Sequence, residues 1–213
     1  MSDISEFTTN RLSVYLRCLD QLEASGVRAV SSKSLAEDFG LNAAQIRKDL
    51  AHFGDLGVRG VGYYVKDLRR QLQHILGLDC GLTVAIMGAG NLGLALADYH
   101  GFKQEGFRVA ALFDNLLEKV GTRSRNGIPI YDIRELKRVT KRENIAIAII
   151  AVPIRSAQTV VDKVVLSGIK AILNFSPGSL RVPENVKMKN VDLTVSLESL
   201  SFYLARADRG EEE

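Results

Sequence analysis

The chain has 213 residues, a formal net charge of +3 and 46% hydrophobic residues, which suffices for one large or two small domains with cores of their own. That surplus is too small to decide for or against a nucleic-acid partner: residues 1–80 carry ten Lys and Arg against ten Asp and Glu, a difference of zero. Cys18 and Cys80 are isolated, without a CxxC pair, and neither a secretory leader nor a transmembrane run precedes them, so a reducing, cytoplasmic setting with no membrane partner is expected.

The front segment reads as helices rather than strands. Leu12, Tyr15, Leu16, Leu19 and Leu22 recur at helical spacing and predict a first helix that ends before Gly26. A short second helix carries Leu35, Ala36 and Phe39, takes Ser32 or Ser34 as its cap, and stops at Gly40. Asn42 opens a third, with Gln45 three positions later completing a capping-box pattern. Ile46, Leu50 and Phe53 form its apolar stripe, and Gly54 ends it. Helices two and three, joined by Gly40-Leu41-Asn42, predict a helix-turn-helix. The stretch from Gly57 to Val65 reads as a glycine-rich β-hairpin, or wing, and a fourth helix through Leu68, Leu72, Ile75 and Leu76 ends at Gly77.

The third helix is then the recognition helix. Arg47 and Lys48 lie off its apolar stripe near its start, where such a helix meets base edges. Arg59 sits beside Gly60 at the wing tip, where a cation reaches phosphate or a minor groove. Two adjacent cations alone more often solvate an exposed helix face; the motif around them reverses that reading. Over residues 44–70 the basic count is six against three, so the surplus is local.

The chain organises as a winged helix-turn-helix over residues 1–77, a linker at 78–81 (Leu78-Asp79-Cys80-Gly81), and a dinucleotide-binding unit over 82–192. The fold class is a doubly wound, mostly parallel α/β Rossmann domain behind an all-α winged-helix domain. Gly88-Ala89-Gly90-Asn91-Leu92-Gly93 follows the apolar run Leu82–Met87 and opens a helix, the context in which this fingerprint is specific. Gly88 allows the tight turn, Gly90 lets backbone approach a pyrophosphate, and Gly93 lets helix and strand pack closely. The pyrophosphate sits on the free N–H groups at the helix start. A second strand, Val109–Phe113, ends in Asp114, 21 residues after Gly93. A carboxylate there meets the adenosine ribose and repels a 2′-phosphate, which favours NAD over NADP. Val152-Pro153 and Asn174-Phe175, at carboxyl ends of the fourth and fifth strands of this unit, are candidates for the nicotinamide side of the crevice.

After Asp192, residues Leu193, Leu197, Leu200 and Leu204 repeat at helical spacing with Phe202 and Tyr203 beside them. They predict an amphipathic helix over 193–207, which either folds back on its own sheet or covers a partner. The acidic end, 208–213, reads as a solvated tail. His52, His74 and His100 have no metal-ligand spacing, so no metal is expected. Neither a Ser-His-Asp set nor carboxylates paired for acid–base work stand in the sequence, so no catalytic residues are assigned.

Arg11–Arg17, Gln45-Ile46-Arg47-Lys48-Asp49-Leu50, Phe53-Gly54, Arg59-Gly60-Val61-Gly62-Tyr63, the fingerprint, Ile172–Pro177 and Asn190–Leu193 together resemble the Rex family of redox-sensing transcriptional repressors. The resemblance runs collinearly over nearly the whole chain. Ala51-His52 depart from the family's usual Ser-Tyr, and Leu116-Leu117 from its usual Asp-Pro. The resemblance implies a homodimer that holds a palindromic double-stranded operator when apo or NAD+-bound and leaves it when NADH binds. It makes Gln45, Arg47, Lys48, Arg59 and Gly60 the DNA-contacting set. It further implies that the last helix is exchanged between subunits, and that Arg17, Tyr99 and the partner's Asp192 form alternative polar pairings near the nicotinamide. NAD+ and NADH, the sensed ligands, differ by one ring charge and its planarity, so only contacts at that end distinguish them.

Two readings from other classes stand beside this one. An NAD-dependent oxidoreductase needs a proton-transfer group in the crevice, where Tyr99, His100 and Lys103 are the nearby candidates. A CoA- or nucleotide-binding subunit of a larger enzyme would use the front domain for docking. Arg47, Lys48 and the wing have no role under either.

Overall fold

The structure, a computed structural model, describes residues 4–208; the expected acidic tail lies outside the described residues from 209 onward. The chain forms two compact units, Met1–Cys80 and Gly81–Glu213.

In the first unit, α1 (Glu6–Ala24) is capped by Ser5, whose hydroxyl accepts the Thr8 N–H. A two-residue strand β1 (Ala29–Val30) then leads to α2 (Ser32–Phe39). The cap is Ser31, not Ser32 or Ser34: its backbone is still extended after β1, and its hydroxyl accepts the Ser34 N–H at 2.9 Å. Asn42 caps α3 (Ala43–Ala51) by accepting the Gln45 N–H at 3.0 Å. The Gln45 side chain does not close the expected box; it turns along the helix to Asp49.

The wing is a tight hairpin. Val58 and Gly62 exchange backbone hydrogen bonds of 2.7 and 2.9 Å, and the Val61 N–H closes the turn on the Val58 carbonyl. Arg59 and Gly60 stand exposed at its tip. The chain continues into β2 (Tyr63–Tyr64), antiparallel to β1. Beside the expected wing, the front segment thus holds one small sheet, and its β1 strand was not expected because it is too short to print a period-two pattern. Val65 lies beyond the wing and opens α4 (Val65–Ile75). Leu12, Tyr15, Leu19, Leu35, Ile46, Leu50, Leu68 and Leu72 form the core of this unit, each at most 2% exposed. Burying side chains of this size stabilises by about 1.5–3 kcal/mol each before entropy is counted. Leu78–Cys80 forms a 3₁₀ turn at the end of this unit.

The second unit is a six-stranded parallel sheet. Its strands are β3 (Leu82–Met87), β4 (Phe107–Asp114), β5 (Ile130–Asp132), β6 (Ile147–Ile150), β7 (Ala171–Asn174) and β8 (Lys187–Asn190), in the order β5-β4-β3-β6-β7-β8. The order reverses between β3 and β6, so the ligand crevice of such a sheet opens at their carboxyl ends. The helices α7 (Leu136–Glu143) and α8 (Ile154–Leu166) bury one face with Met87, Phe113, Ile150 and Val161. On the other face α5 (Asn91–Ala97) and α6 (His100–Gln104) pack on β3 and β4. They are separate helices because the backbone is extended at Tyr99 (φ −75°, ψ 110°); beside this break the Asp98 carboxylate accepts from the Ser124 hydroxyl at 2.7 Å and the Asn126 N–H at 2.9 Å. Toward β7 on that same face, Ile147, Leu173 and Phe175 stay only partly buried.

The last helix, α9 (Leu193–Asp208), is capped by Asp192, which accepts the Thr194 N–H at 2.9 Å. Its apolar residues, from Leu193 through Leu204, are 58–69% exposed. Among the described residues no helix is long and apolar enough to cross a membrane.

Candidate functional site

The fingerprint loop leaves β3 through three glycines with different surroundings. Gly88 has φ +103°, and a Cβ there would lie 2.5 Å from the Ala151 carbonyl oxygen. A Cβ on Gly93 would lie 1.8 Å from the Gly88 carbonyl oxygen, so the start of α5 can press against the loop only without a side chain. At Gly90 a Cβ would meet nothing within 4 Å. Gly88 and Gly93 are therefore required by the protein itself, whereas the bare backbone at Gly90 faces open space. The first hydrogen bond of α5 runs from the Leu94 N–H to the Gly90 carbonyl. Amides of the preceding turn project from the helix start, as they do at any helix N-terminus.

Asp114 ends β4 beside this loop. One carboxylate oxygen accepts the Ala89 N–H at 2.8 Å, and the other accepts the Asn115 and Leu116 N–H groups at 2.8 and 3.0 Å. Lys119 stands 3.7 Å away. Burial pushes the Asp114 carboxyl up, but the three amides and Lys119 outweigh it and hold the group below its ordinary value of 3.8. The carboxylate is charged at neutral pH and keeps acceptor capacity on its remaining lone pairs.

Gly88, Gly90 and Asp114 line a cleft of about 470 Å³. Its far wall is Ala151-Val152-Pro153 together with Ser156, Thr159, Val160 and Lys163 of α8. Val152 and Pro153, expected on the nicotinamide side, thus share the cleft of Asp114, because α8 starts right behind them and its first turns wall the same space. Leu116, singled out in the sequence as part of a departure from the family pattern, lines this cleft, whereas Lys119 and the α8 residues were missed. A signal existed for the latter: 156, 159, 160 and 163 make one helical face, opposite the buried Ala157, Val161 and Val164.

Asn174 and Phe175 do not line that cleft. Asn174 is fully buried; its amide donates to the Ser176 carbonyl and to Asn190, both at 2.9 Å, and accepts the Ser176 N–H. The Ser176 hydroxyl in turn donates to the Val152 carbonyl. This buried amide braces the ends of β6, β7 and β8. Phe175 is partly buried beside Leu173.

Asn91 and Leu92 are exposed at the start of α5, and Ala89 is buried. Tyr99 precedes α6, 60% exposed, edge-on to Phe102. With His100, Lys103 and Arg108 it lines a second hollow of about 650 Å³, whose lining holds no carboxylate to pair with a proton-transfer residue. Arg17 is exposed on α1, and Asp192 is occupied as the cap of α9.

In the first unit, α3 turns Arg47 and Lys48 to solvent while Ile46 and Asp49 on either side of them are buried. Arg47 donates to the Ser32 hydroxyl at 2.9 Å, which steadies the guanidinium at the start of α2. His52, at the end of α3, places Nδ1 2.8 Å from the Lys48 carbonyl oxygen. Gln45 is only half exposed and donates to Asp49 at 2.7 Å. Among the described residues no group of three or more His, Cys, Asp or Glu could hold a metal.

Comparison with known proteins matches both units. The family model "CoA binding domain" covers residues 82–178, and the model "Putative DNA-binding protein N-terminus" covers residues 3–51. A redox-sensing transcriptional repressor Rex from Desulforamulus reducens is 48% identical over 206 residues, 97% of this chain and 98% of its own. Another from Desulfitobacterium hafniense is 47% identical, covering 93% of this chain and 94% of its own. Among solved structures, that of RSP in complex with β-NAD+ and operator DNA superposes with a TM-score of 0.92 at 37% identity, over 99% of this chain and 97% of that one. RSP in complex with β-NADH gives 0.86 at 36% identity, over 99% of both chains. These relatives are repressors rather than enzymes, and their likeness spans both units. The chain belongs to the Rex family of redox-sensing transcriptional repressors.

Proposed function

We propose that this protein is a homodimeric repressor, acting in the cytoplasm, that holds palindromic operator DNA when apo or NAD+-bound and is released by NADH. The observation that carries the reading is the union, in one chain, of a helix-turn-helix with outward Arg47 and Lys48 and a dinucleotide fingerprint opening on the Asp114 cleft. Neither unit alone would link redox state to transcription.

The residues present fit a dinucleotide. Gly90 leaves bare backbone toward open space, and charged Asp114 stands beside it. Gly88 to Gly93 would hold the pyrophosphate, and Asp114 the adenosine ribose. Leu116, Val152 and Pro153 would wall the adenosine, and the nicotinamide would lie toward Tyr99 and Phe175. When bound, the nicotinamide supplies only a ring whose charge depends on redox state. Arg17, Tyr99 and the partner's Asp192 would read that charge. On the DNA, Arg47 and Lys48 would meet base edges, and Arg59 and Gly60 the backbone or minor groove.

The dimer reading is supported by α9, whose 58–69% exposed leucines and aromatics need cover. The partly buried Ile147, Leu173 and Phe175 offer a second copy an apolar face of the sheet. Exchange of a terminal helix is a low-cost route to such a dimer.

The test is fluorescence anisotropy on a duplex that the protein itself enriches from a random-sequence library, titrated with NADH and, separately, with NAD+ at fixed salt. Release by NADH and not by NAD+ is expected. Binding that ignores both nucleotides removes the redox role, and failure to enrich any duplex removes the repressor reading.

A further inference from the structure

Asp49 sits on α3 directly after the two outward cations, yet it is only 2% exposed. Its carboxylate receives four hydrogen bonds. Arg11 of α1 donates from Nε at 2.5 Å and Nη2 at 2.7 Å, Tyr15 of α1 donates its hydroxyl at 2.9 Å, and Gln45 donates from Nε2 at 2.7 Å. Arg11 is itself steered, since Nη2 also reaches the Thr8 hydroxyl at 3.3 Å, which meets the hydroxyl of Ser5, the cap of α1. Helix α1 packs chiefly along α4, and α3 along α2. The Asp49 node is therefore a polar tie between two helix pairs.

Stability alone does not explain a charged group at this position. A buried ion pair is often replaceable by apolar residues of similar volume without loss, because desolvation offsets its attraction. What a bidentate pair with two further donors adds is direction. Asp49 lies on the inward stripe with Ile46 and Leu50, so a carboxylate held at a single point fixes the rotation of α3 about its axis. Successive residues turn by about 100° on a helix, so the rotation that buries 46 and 49 also aims 47 and 48. Recognition needs such groups within about 0.5 Å and 10–20° of their productive placement.

We propose that Asp49, held by Arg11 and Tyr15, is a positioning residue for DNA recognition: it sets the rotation of α3 that aims Arg47 and Lys48, and Gln45 acts through it rather than on a base. The inference rests on the DNA-binding reading above. It also replaces the sequence-based role of Gln45.

The test uses the full chain with Asp49→Asn, which keeps size and removes charge, and Tyr15→Phe, which removes a single hydroxyl. Affinity is read for the enriched duplex and for a shuffled duplex of equal length and composition. The expected result for Asp49→Asn is at least a tenfold fall in the ratio of the two affinities, with NADH affinity by calorimetry unchanged. A double-mutant cycle with Arg47→Ala should be strongly non-additive, because a misaimed Arg47 has little left to lose. Equal losses on both duplexes, or additive losses in the cycle, would mean that Asp49 only supports folding and overturn the proposal. Should Asp49→Asn not fold, Tyr15→Phe is read in the same cycle with the same criteria, a smaller fall in ratio being expected. A wild-type chain that enriches no duplex overturns the DNA-binding reading itself, whereas an enriched duplex bound equally well by both variants overturns this inference alone.

Discussion

The Ala89 N–H donates to Asp114 at 2.8 Å, so the carboxylate at the end of β4 is one of the groups that hold the glycine loop in place. Asp114, the proposed ribose acceptor, is thus also a brace for the fingerprint loop. Asp114→Ala should weaken NADH binding by roughly 1.5–3 kcal/mol, the worth of a charge-assisted hydrogen bond. It should also lower the stability of the second unit. Isothermal calorimetry showing wild-type affinity would remove Asp114 from the nucleotide site.

Gly93→Ala should be among the most damaging single-methyl additions in the second unit. The new Cβ would stand 1.8 Å from the Gly88 carbonyl oxygen, which is backbone and cannot swing aside. Overpacking of this kind costs about 1–3 kcal/mol or more. Denaturant unfolding should show that loss, and NADH binding should fall with it; unchanged stability would mean that α5 can withdraw from the loop freely.

Arg47 is exposed and held by Ser32 at 2.9 Å. Arg47→Ala should weaken binding to the enriched duplex by about 1–3 kcal/mol if it reads a base, and relax preference at one position. A loss shared by all sequences, with a shallower salt dependence, would instead make it a phosphate contact.

Leu200, 60% exposed on α9, should tolerate a charge in the folded chain but not in a dimer. Leu200→Glu is expected to shift sedimentation from two chains to one at micromolar concentration and to weaken operator binding. A dimer that persists unchanged would place the interface elsewhere.

The first unit should carry an acid-sensitive tie. Burial raises the Asp49 carboxyl, but the hydrogen bonds from Arg11, Gln45 and Tyr15 and the Arg11 charge hold it below its ordinary value of 3.8. The unfolded chain therefore binds this proton more readily than the folded one. The stabilisation is fully present above about pH 4 and is lost as pH falls through the depressed folded value. Thermal unfolding of wild type and Asp49→Asn should converge as pH drops from about 5 toward about 3. A constant difference across that range would mean that the carboxylate charge contributes nothing.

The fingerprint, its preceding strand and Asp114 were legible in the sequence because each is local. A strand, a glycine turn and a distal carboxylate at fixed spacing have one common geometry. The helix-turn-helix was legible for the same reason, through apolar periodicity and through caps such as Asn42. The outward placement of Arg47 and Lys48 followed from the stripe of Ile46, Leu50 and Phe53.

Tertiary structure decided what depends on partners far along the chain. Asp49 sits on the inward stripe, which marks it as unusual, but Arg11 lies 38 residues away and no spacing rule pairs them. Asn174 reads only as a residue at a carboxyl strand end, and the convergence of β6, β7 and β8 is what makes it a brace. Val152 and Pro153 share a cleft with Asp114 because α8 follows them directly, and Ser156, Thr159 and Lys163 join them there. Periodicity reports which way a side chain faces. What that side chain meets is set by long-range packing, and there polar groups satisfy each other across distances that sequence does not encode.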